Sequence, residues 1–166
     1  MNHTANGETA ELDYDVVIVG AGFAGLYQLH RLRSLGLSVV LLEGGSGLGG
    51  IWYWNCYPGA RVDSHVPLYE FSDEKIWRDW YWTERFPGRD ELRAYFEHVD
   101  ARWDLSRDIR FDTWVRGAAW DEGARAWRVE TDAGDSIRTR FFVLCTGFAA
   151  KSYTPDFPGL EDFTGA

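Results

Sequence analysis

The sequence predicts an α/β fold: a parallel sheet with helices packed on it and a small antiparallel β-meander attached. Three observations carry that prediction. Tyr14–Val19 and Ser38–Leu42 are short, continuous apolar runs, which read as strands buried on both faces, as in a parallel sheet. Between them, glycines interrupt the chain and a helix-length segment follows with leucines on one side. From Ile109 onward the apolar period drops to two, with turn residues at regular intervals.

Composition narrows the function classes. The 166 residues make one domain of ordinary size or part of a larger one, and 45% hydrophobic content supplies a core. The net charge of -9 comes with no basic stripe, which argues against nucleic acid and anionic membranes as partners. Cys56 and Cys145 stand far apart in no CxxC arrangement, so no disulfide framework is expected. Four scattered histidines form no ligand pattern with them, so no metal site is expected. Residues 1–12 are polar and read as a disordered tail. No apolar run has the length of a membrane span, and a cytoplasmic protein is expected.

Taken in order, the first element is the strand Tyr14–Val19. Gly20-Ala21-Gly22-Phe23-Ala24-Gly25 follows at once, a GxGxxG turn, and a helix runs on to about Leu35 with Leu26, Leu29, Leu32 and Leu35 recurring on one side. Gly36 stops it, and Ser38–Leu42 is the second strand, ending on Glu43. A strand, a glycine turn, a helix, a strand and a terminal acid together make a Rossmann-like dinucleotide-binding unit. Gly20 permits the tight turn, Gly22 lets backbone approach a pyrophosphate, and Gly25 lets helix and strand pack closely. The helix N-terminus offers N–H groups and a positive dipole end to phosphate. Glu43 sits where a carboxylate accepts hydrogen bonds from ribose hydroxyls and repels a 2′-phosphate, which favours FAD or NAD over NADP.

Gly44–Asp63 comes next, with glycine at five of its first seven positions, then Trp52, Tyr53, Trp54 and the turn Pro58-Gly59. Backbone without side chains, then aromatic planes, suits a flat, phosphate-bearing ligand approached closely; the alternative is a glycine-rich loop beside a tryptophan-rich core. Ser64–Phe71 reads as a loop, and residues 72–87, with Trp77, Trp80 and Trp82, read as packing rather than tunnel lining. Pro87-Gly88 breaks the chain before an amphipathic helix from Asp90 to Trp103.

Ile109–Phe111, Trp114–Trp120, Ala126–Thr131 and Ser136–Thr139 read as the short strands of the meander, joined by turns at Asp121–Gly123 and Asp132–Asp135. Arg140–Cys145 reads as a separate buried strand returning to the parallel sheet, which puts Thr146-Gly147 beside the phosphate loop. Pro155, Pro158 and Gly159 mark a connector.

These residues resemble the N-terminal portion of the Baeyer–Villiger monooxygenases. Gly20–Tyr27 is similar to their FAD fingerprint. Gly49-Gly50-Ile51-Trp52, then Tyr57-Pro58-Gly59 and Asp63, fits their signature [AG]GxWxxxx[FY]P[GM]xxxD at every fixed position. Phe163-Thr164-Gly165 matches the first three residues of a second signature, FxGxxxHTxxW. The resemblance implies a three-layer FAD-binding domain over residues 13–150, incomplete within this chain, with 151–166 leading toward an NADP-binding domain beyond it. It implies an enzyme using FAD, NADPH and O2 to insert oxygen next to a ketone carbonyl, giving an ester or lactone.

Carried over residue by residue, the resemblance gives Gly20, Gly22, Phe23 and Gly25 to the pyrophosphate and Glu43 to the adenosine ribose. It sets Gly50, Ile51 and Trp52 along the flavin, with Asp63 and Tyr69 near its ring. Val115 falls on the adenine side, and Thr146 and Gly147 on the second approach to FAD. Arg61, Val62 and Asp63 fall on the nicotinamide side. Asp63 is implied to orient a catalytic arginine that lies outside this chain; the plain alternative is a surface ion pair between Asp63 and Arg61. The chain alone is expected not to turn a ketone over, and its open sheet is expected to favour self-association. The competing readings are a flavin monooxygenase acting on nitrogen or sulfur, an FAD-binding module without turnover, and an NAD-dependent dehydrogenase.

Overall fold

A computed structural model describes residues 11–148, 151 and 153–165; residues 1–10 of the expected tail lie outside them. The strand β1 (Tyr14–Val19) runs into helix α1 (Phe23–Ser34) and then β2 (Val39–Leu42), which pairs parallel to β1 with Val16 opposite Val39. At the lower end of that pair the Asp15 carboxylate accepts from both the backbone N–H and the hydroxyl of Ser38, which holds its pKa below the usual carboxylate value. Gly36, at φ +82°, turns the chain out of α1, as its place after the leucine stripe predicts.

Two four-residue helices follow, α2 (Ile51–Trp54) and α3 (Glu74–Trp77). Each is about one turn long, too short to show a helical period in sequence. Helix α4 (Arg89–Trp103) has Asp90 and Glu91 in its first turn, where carboxylates favour the positive dipole end. It carries the chain across the sheet to β3 (Ile109–Arg110), which pairs parallel to β2. The sequence reading assigned this segment to the meander. A two-residue strand is too short for its period to separate an antiparallel from a parallel neighbour, and the helix before it decides, because a crossover helix brings the chain back parallel.

The meander itself is β4 (Val115–Asp121), β5 (Ala126–Thr131) and β6 (Ser136–Leu144), giving one six-stranded sheet in the order β3-β2-β1-β6-β5-β4. The two strands expected between Ser136 and Cys145 are one. Ser136–Thr139 pairs antiparallel to β5, and Thr139–Leu144 pairs parallel to β1, so Thr139 faces Trp127 on one side and Tyr14 on the other. Beyond Thr139 the ladder to β5 stops. The upper half of β6 therefore has one paired edge among the described residues. Phe141 is 52% and Leu144 64% exposed, where the sequence reading expected burial.

Alternation along β1 sorts the core into two. Val16 and Ile18 face α1 and α4 and pack with Leu26, Leu29, Tyr95 and Phe96. Val17 faces the other way, with Val40 and Leu42, against Val129 and Ile137 of the meander. Helices, parallel sheet and meander form the three layers of a Rossmann-like α/β domain. Trp80 and Trp82 lie 5.4 and 4.9 Å from the Tyr95 ring, as packing residues. Phe96 and Leu92 are fully buried on α4, each burial contributing about 1.5–3 kcal/mol. Among the described residues no helix is long and apolar enough to cross a membrane.

Where α1 meets α4, the His30 ring stacks on Trp103 with centroids 4.1 Å apart. Burial there lowers the His30 pKa from 6.5, and Asp73, 3.9 Å away, pulls the other way without prevailing. Protonation thus costs more in the folded chain than in the unfolded one. The stability is full above the unfolded value of 6.5 and is lost as pH falls through the folded pKa. The melting temperature should drop as pH is lowered from about 7 to about 5, and the drop should be smaller in His30→Gln; equal slopes in calorimetry would refute the assignment.

Candidate functional site

The site is built on the turn from β1 to α1. Gly20 sits at φ +103°, and a Cβ there would stand 2.6 Å from the Cys145 carbonyl oxygen, so only glycine fits. At Gly25 a Cβ would collide with the Gly20 carbonyl oxygen, which brings helix and turn into contact. Gly22 caps α1 with extended backbone, no side-chain cap bond and no acidic residue in the first turn. The N–H groups at the start of a twelve-residue helix are left open, with the positive dipole end behind them. That arrangement fits the pyrophosphate of a dinucleotide: donors in place, no competing carboxylate, and no side chain at Gly22 to fill the space.

Glu43 stands beside this turn and is 5% exposed. Its Oε2 accepts from the Ala21 N–H at 2.7 Å and its Oε1 from the Gly45 N–H at 2.8 Å. The sequence reading turned this carboxylate toward ribose alone; here it also ties the phosphate turn to the glycine loop. A carboxylate has about four acceptor positions, so a sugar hydroxyl can still be accepted.

The glycine loop rests on the phosphate turn. Gly49 donates to the Ala21 carbonyl at 3.0 Å, and a Cβ on Gly50, at φ +56°, would come 3.0 Å from the Gly22 Cα. The other glycines answer to the chain's own aromatic rings. A Cβ on Gly44 would press into Trp114 and one on Gly45 into Tyr53, each at 2.6 Å. The Tyr53 hydroxyl meets the Ser46 amide and hydroxyl, while Arg93 of α4 donates to the Leu48 carbonyl and lies 5.2 Å over the Tyr53 ring. Sequence alone assigned these glycines to close approach by a ligand. For Gly44 and Gly45 the close approach is by tryptophan and tyrosine.

The remaining predicted residues divide. Trp52 is buried and donates its indole N–H to the Tyr69 hydroxyl at 3.1 Å, so these two meet; Ile51, next to it, is half exposed. Phe23 points into the core, 4.7 Å from Phe96 and 5.0 Å from Tyr69, so only its backbone N–H faces the phosphate turn. Val62 is likewise a core residue at 4% exposure, and its side chain is not available to a nicotinamide. Arg61 pairs with Glu84 and with the Phe86 carbonyl, which removes the Arg61–Asp63 ion pair from consideration. Asp63 is exposed and accepts from the Ser64 hydroxyl at 3.3 Å. Val115 opens β4 opposite Thr131 and packs, half-buried, on the meander side.

The amide of Cys145 donates to the Val19 carbonyl at 2.8 Å, and this sets the Thr146 amide beside Gly20. Gly147 is exposed at φ +75°. Burial pushes the Cys145 thiol pKa up, which keeps it protonated at neutral pH. The structure thus brings Gly20, Gly22, Gly25, Glu43, Gly50 and Thr146 together. Sequence reasoning read Tyr53 only as an aromatic plane for a ligand, and it missed Arg93 and Trp114, which reach the glycine loop from other elements. Among the described residues no group of three His, Cys, Asp or Glu could hold a metal.

Residues 18–81 match the NAD(P)-binding Rossmann-like domain family. The cyclopentanone 1,2-monooxygenase of Comamonas sp. (strain NCIMB 9872) is 45% identical over 99% of this chain, which covers 29% of that protein. A phenazine N-monooxygenase of Lysobacter antibioticus is 38% identical over 92% of the chain, covering 28% of it. Among solved structures, an oxidized steroid monooxygenase bound to NADP superposes with a TM-score of 0.84 at 50% identity, over 92% of this chain and 29% of that one. A complex of OTEMO with FAD and NADP gives 0.86 at 34% identity, over 93% and 30%. The chain spans less than a third of the length of the relatives it matches.

Gly25→Ala tests the helix–turn contact. Overpacking against the Gly20 carbonyl should destabilise the chain by about 1–3 kcal/mol in urea denaturation, whereas Gly59→Ala, with open space around it, meets no such contact. Equal stability of Gly25→Ala and the unaltered chain would show that the turn can yield.

Proposed function

We propose that this chain, a homologue of the Baeyer–Villiger monooxygenases, forms the FAD-holding portion of a flavin monooxygenase that uses NADPH and O2 to insert oxygen next to a ketone carbonyl. One observation carries the proposal: the uncapped start of α1 opens, through Gly20 and Gly22, beside Glu43 and Gly50 at the carboxyl ends of β1 and β2. Ligands of open α/β sheets bind there.

FAD, when bound, supplies the electron transfer and oxygen activation. The chain's own residues bind and orient. The α1 amides and Gly22 hold the pyrophosphate, Glu43 accepts from the ribose while fixing both loops, and Thr146-Gly147 closes the second side. Gly50, Ile51 and the Trp52–Tyr69 pair bear on the flavin ring. Exposed Asp63 faces outward to orient an arginine supplied from elsewhere in the protein. Residues 13–150 form this FAD portion, residues 151–166 lead toward an NADP-binding domain, and the setting is the cytoplasm. The phenazine N-monooxygenase relative supports a second reading, in which the oxygen goes to nitrogen.

Denaturing the purified chain and weighing the released nucleotide tests the proposal. FAD is the expected mass, and NAD would overturn it. Given NADPH, O2 and a cyclic ketone, the chain by itself should form no lactone. The half-open edge of β6, with Phe141 and Leu144 exposed, also supports self-association. Light scattering should show species larger than 19 kDa, and a clean monomer would count against it.

A further inference from the structure

At the other end of α1 from Gly22, about 18 Å away by helix rise, lies an open cavity of about 210 Å³. It is lined by His30, Arg33 and Ser34 of α1, Lys75 of α3, and Arg102 and Trp103 of α4. Among the described residues no carboxylate lines it, although acidic residues outnumber basic ones 26 to 17 in the chain. The plain account of such a cluster is that cations in the last turn of a helix complement its negative end. Arg33 fits that account, since its guanidinium donates to the Trp103 and Asp104 carbonyls and to the Asp108 carboxylate. Arg102 does not: it donates to Asp79 at 2.7 Å rather than to a carbonyl of α4. Both side chains of that pair are about half exposed, and a pair so exposed contributes little and re-forms readily around another acceptor. Lys75 stands in no ion pair among the described residues. The Trp103 indole N–H is buried without an acceptor among them, a state most buried donors avoid. Donors therefore outnumber acceptors around this cavity.

We infer that this cavity is an oxyanion site, separate from the dinucleotide site, that takes a phosphate or sulfate group on Lys75 and Arg102 and fills when His30 is protonated. His30 decides the sign of the charge there. Arg31 and Arg33 face it from its own helix, Asp73 and Lys75 from the α3 segment, and Arg102 shares the cavity from α4, where the ring stacks on Trp103. The lining cations Arg33, Lys75 and Arg102 are matched by the carboxylates that lie against the lining residues, Asp108, Asp73 and Asp79. The balance is even while the imidazole is neutral and turns positive when it is charged. Protonation also makes both ring nitrogens donors. A dianion in the cavity favours the imidazolium, so anion binding and proton uptake reinforce each other. A phosphate monoester presents the same oxygens as the free ion, and the open mouth admits either. The site needs no dinucleotide, so it stands or falls apart from the reading of the phosphate turn.

Ring-proton NMR of the histidines in the purified chain tests this. In sodium sulfate the His30 pKa should rise toward its ordinary 6.5, and in sodium chloride of equal ionic strength it should stay below that value. Lys75→Ala and Arg102→Gln should each shrink the sulfate-dependent rise. Arg78→Gln, which removes an exposed partner of Glu74 outside the cavity, should leave the rise whole. Thermal melts at about pH 6, where an imidazole is partly charged, then tell a free ion from a monoester. Whichever of inorganic phosphate and phenyl phosphate raises the melting temperature more at equal concentration is the form the cavity accepts. A His30 pKa that is the same in sulfate and chloride overturns the site, and so does a rise that survives both Lys75→Ala and Arg102→Gln.

Discussion

A single buried carboxylate holds the strand ends in their working arrangement. Glu43 is nearly sealed from solvent, and a buried charge is tolerated only where hydrogen bonds replace water. Here two backbone amides do so, Ala21 from the phosphate turn and Gly45 from the glycine loop. Charge-assisted bonds of this kind are stronger than neutral ones, and here they tie the phosphate turn to the start of the glycine loop, 22 residues further along the chain. Two more contacts between the same segments, from Gly49 to Ala21 and from Gly50 to Gly22, extend that bridge.

The second constraint comes from α4. Arg93 reaches from its middle to the Leu48 carbonyl and over the Tyr53 ring, and the Tyr53 hydroxyl returns to Ser46. A seven-residue stretch with five glycines would lose much conformational entropy on ordering. Anchoring it at Glu43, at Tyr53 and at Arg93 distributes that cost over contacts that are themselves well packed. Tyr95 does the same for the segment behind it: its hydroxyl accepts from the Phe71 amide at 2.7 Å, and burial raises its pKa well above the ordinary phenol value.

Much of this was legible in the sequence, and the reasons are local. Tyr14–Val19, the GxGxxG turn, the leucine stripe and Ser38–Leu42 are each specified by neighbours a few residues away, and all appear within a residue or so of their expected bounds. Helix α4 was equally plain from its apolar face. What escaped depended on distant partners. β3 shows no sign of lying beside β2, because two residues carry no period. β6 read as two strands because its partners change at Thr139, not because its own chain is interrupted. Phe23 and Val62 stood in a motif and were given the motif's task, yet apolar side chains there are worth more in the core. The glycines were correctly singled out, but what crowds Gly44 is a tryptophan seventy residues away.

The position of Thr139 also sets a timetable. β1 leaves the ribosome before β2, which can pair with it soon afterwards. Its other neighbour, β6, is some 125 residues further along the chain, as the bond between Arg138 and Asp13 marks. Until that stretch emerges, β1 has one bare edge of valines and isoleucine, and closure must await a long-range contact of the slow kind. β1 is completed only when β6 arrives, and the nascent chain must be kept from other company in the interval.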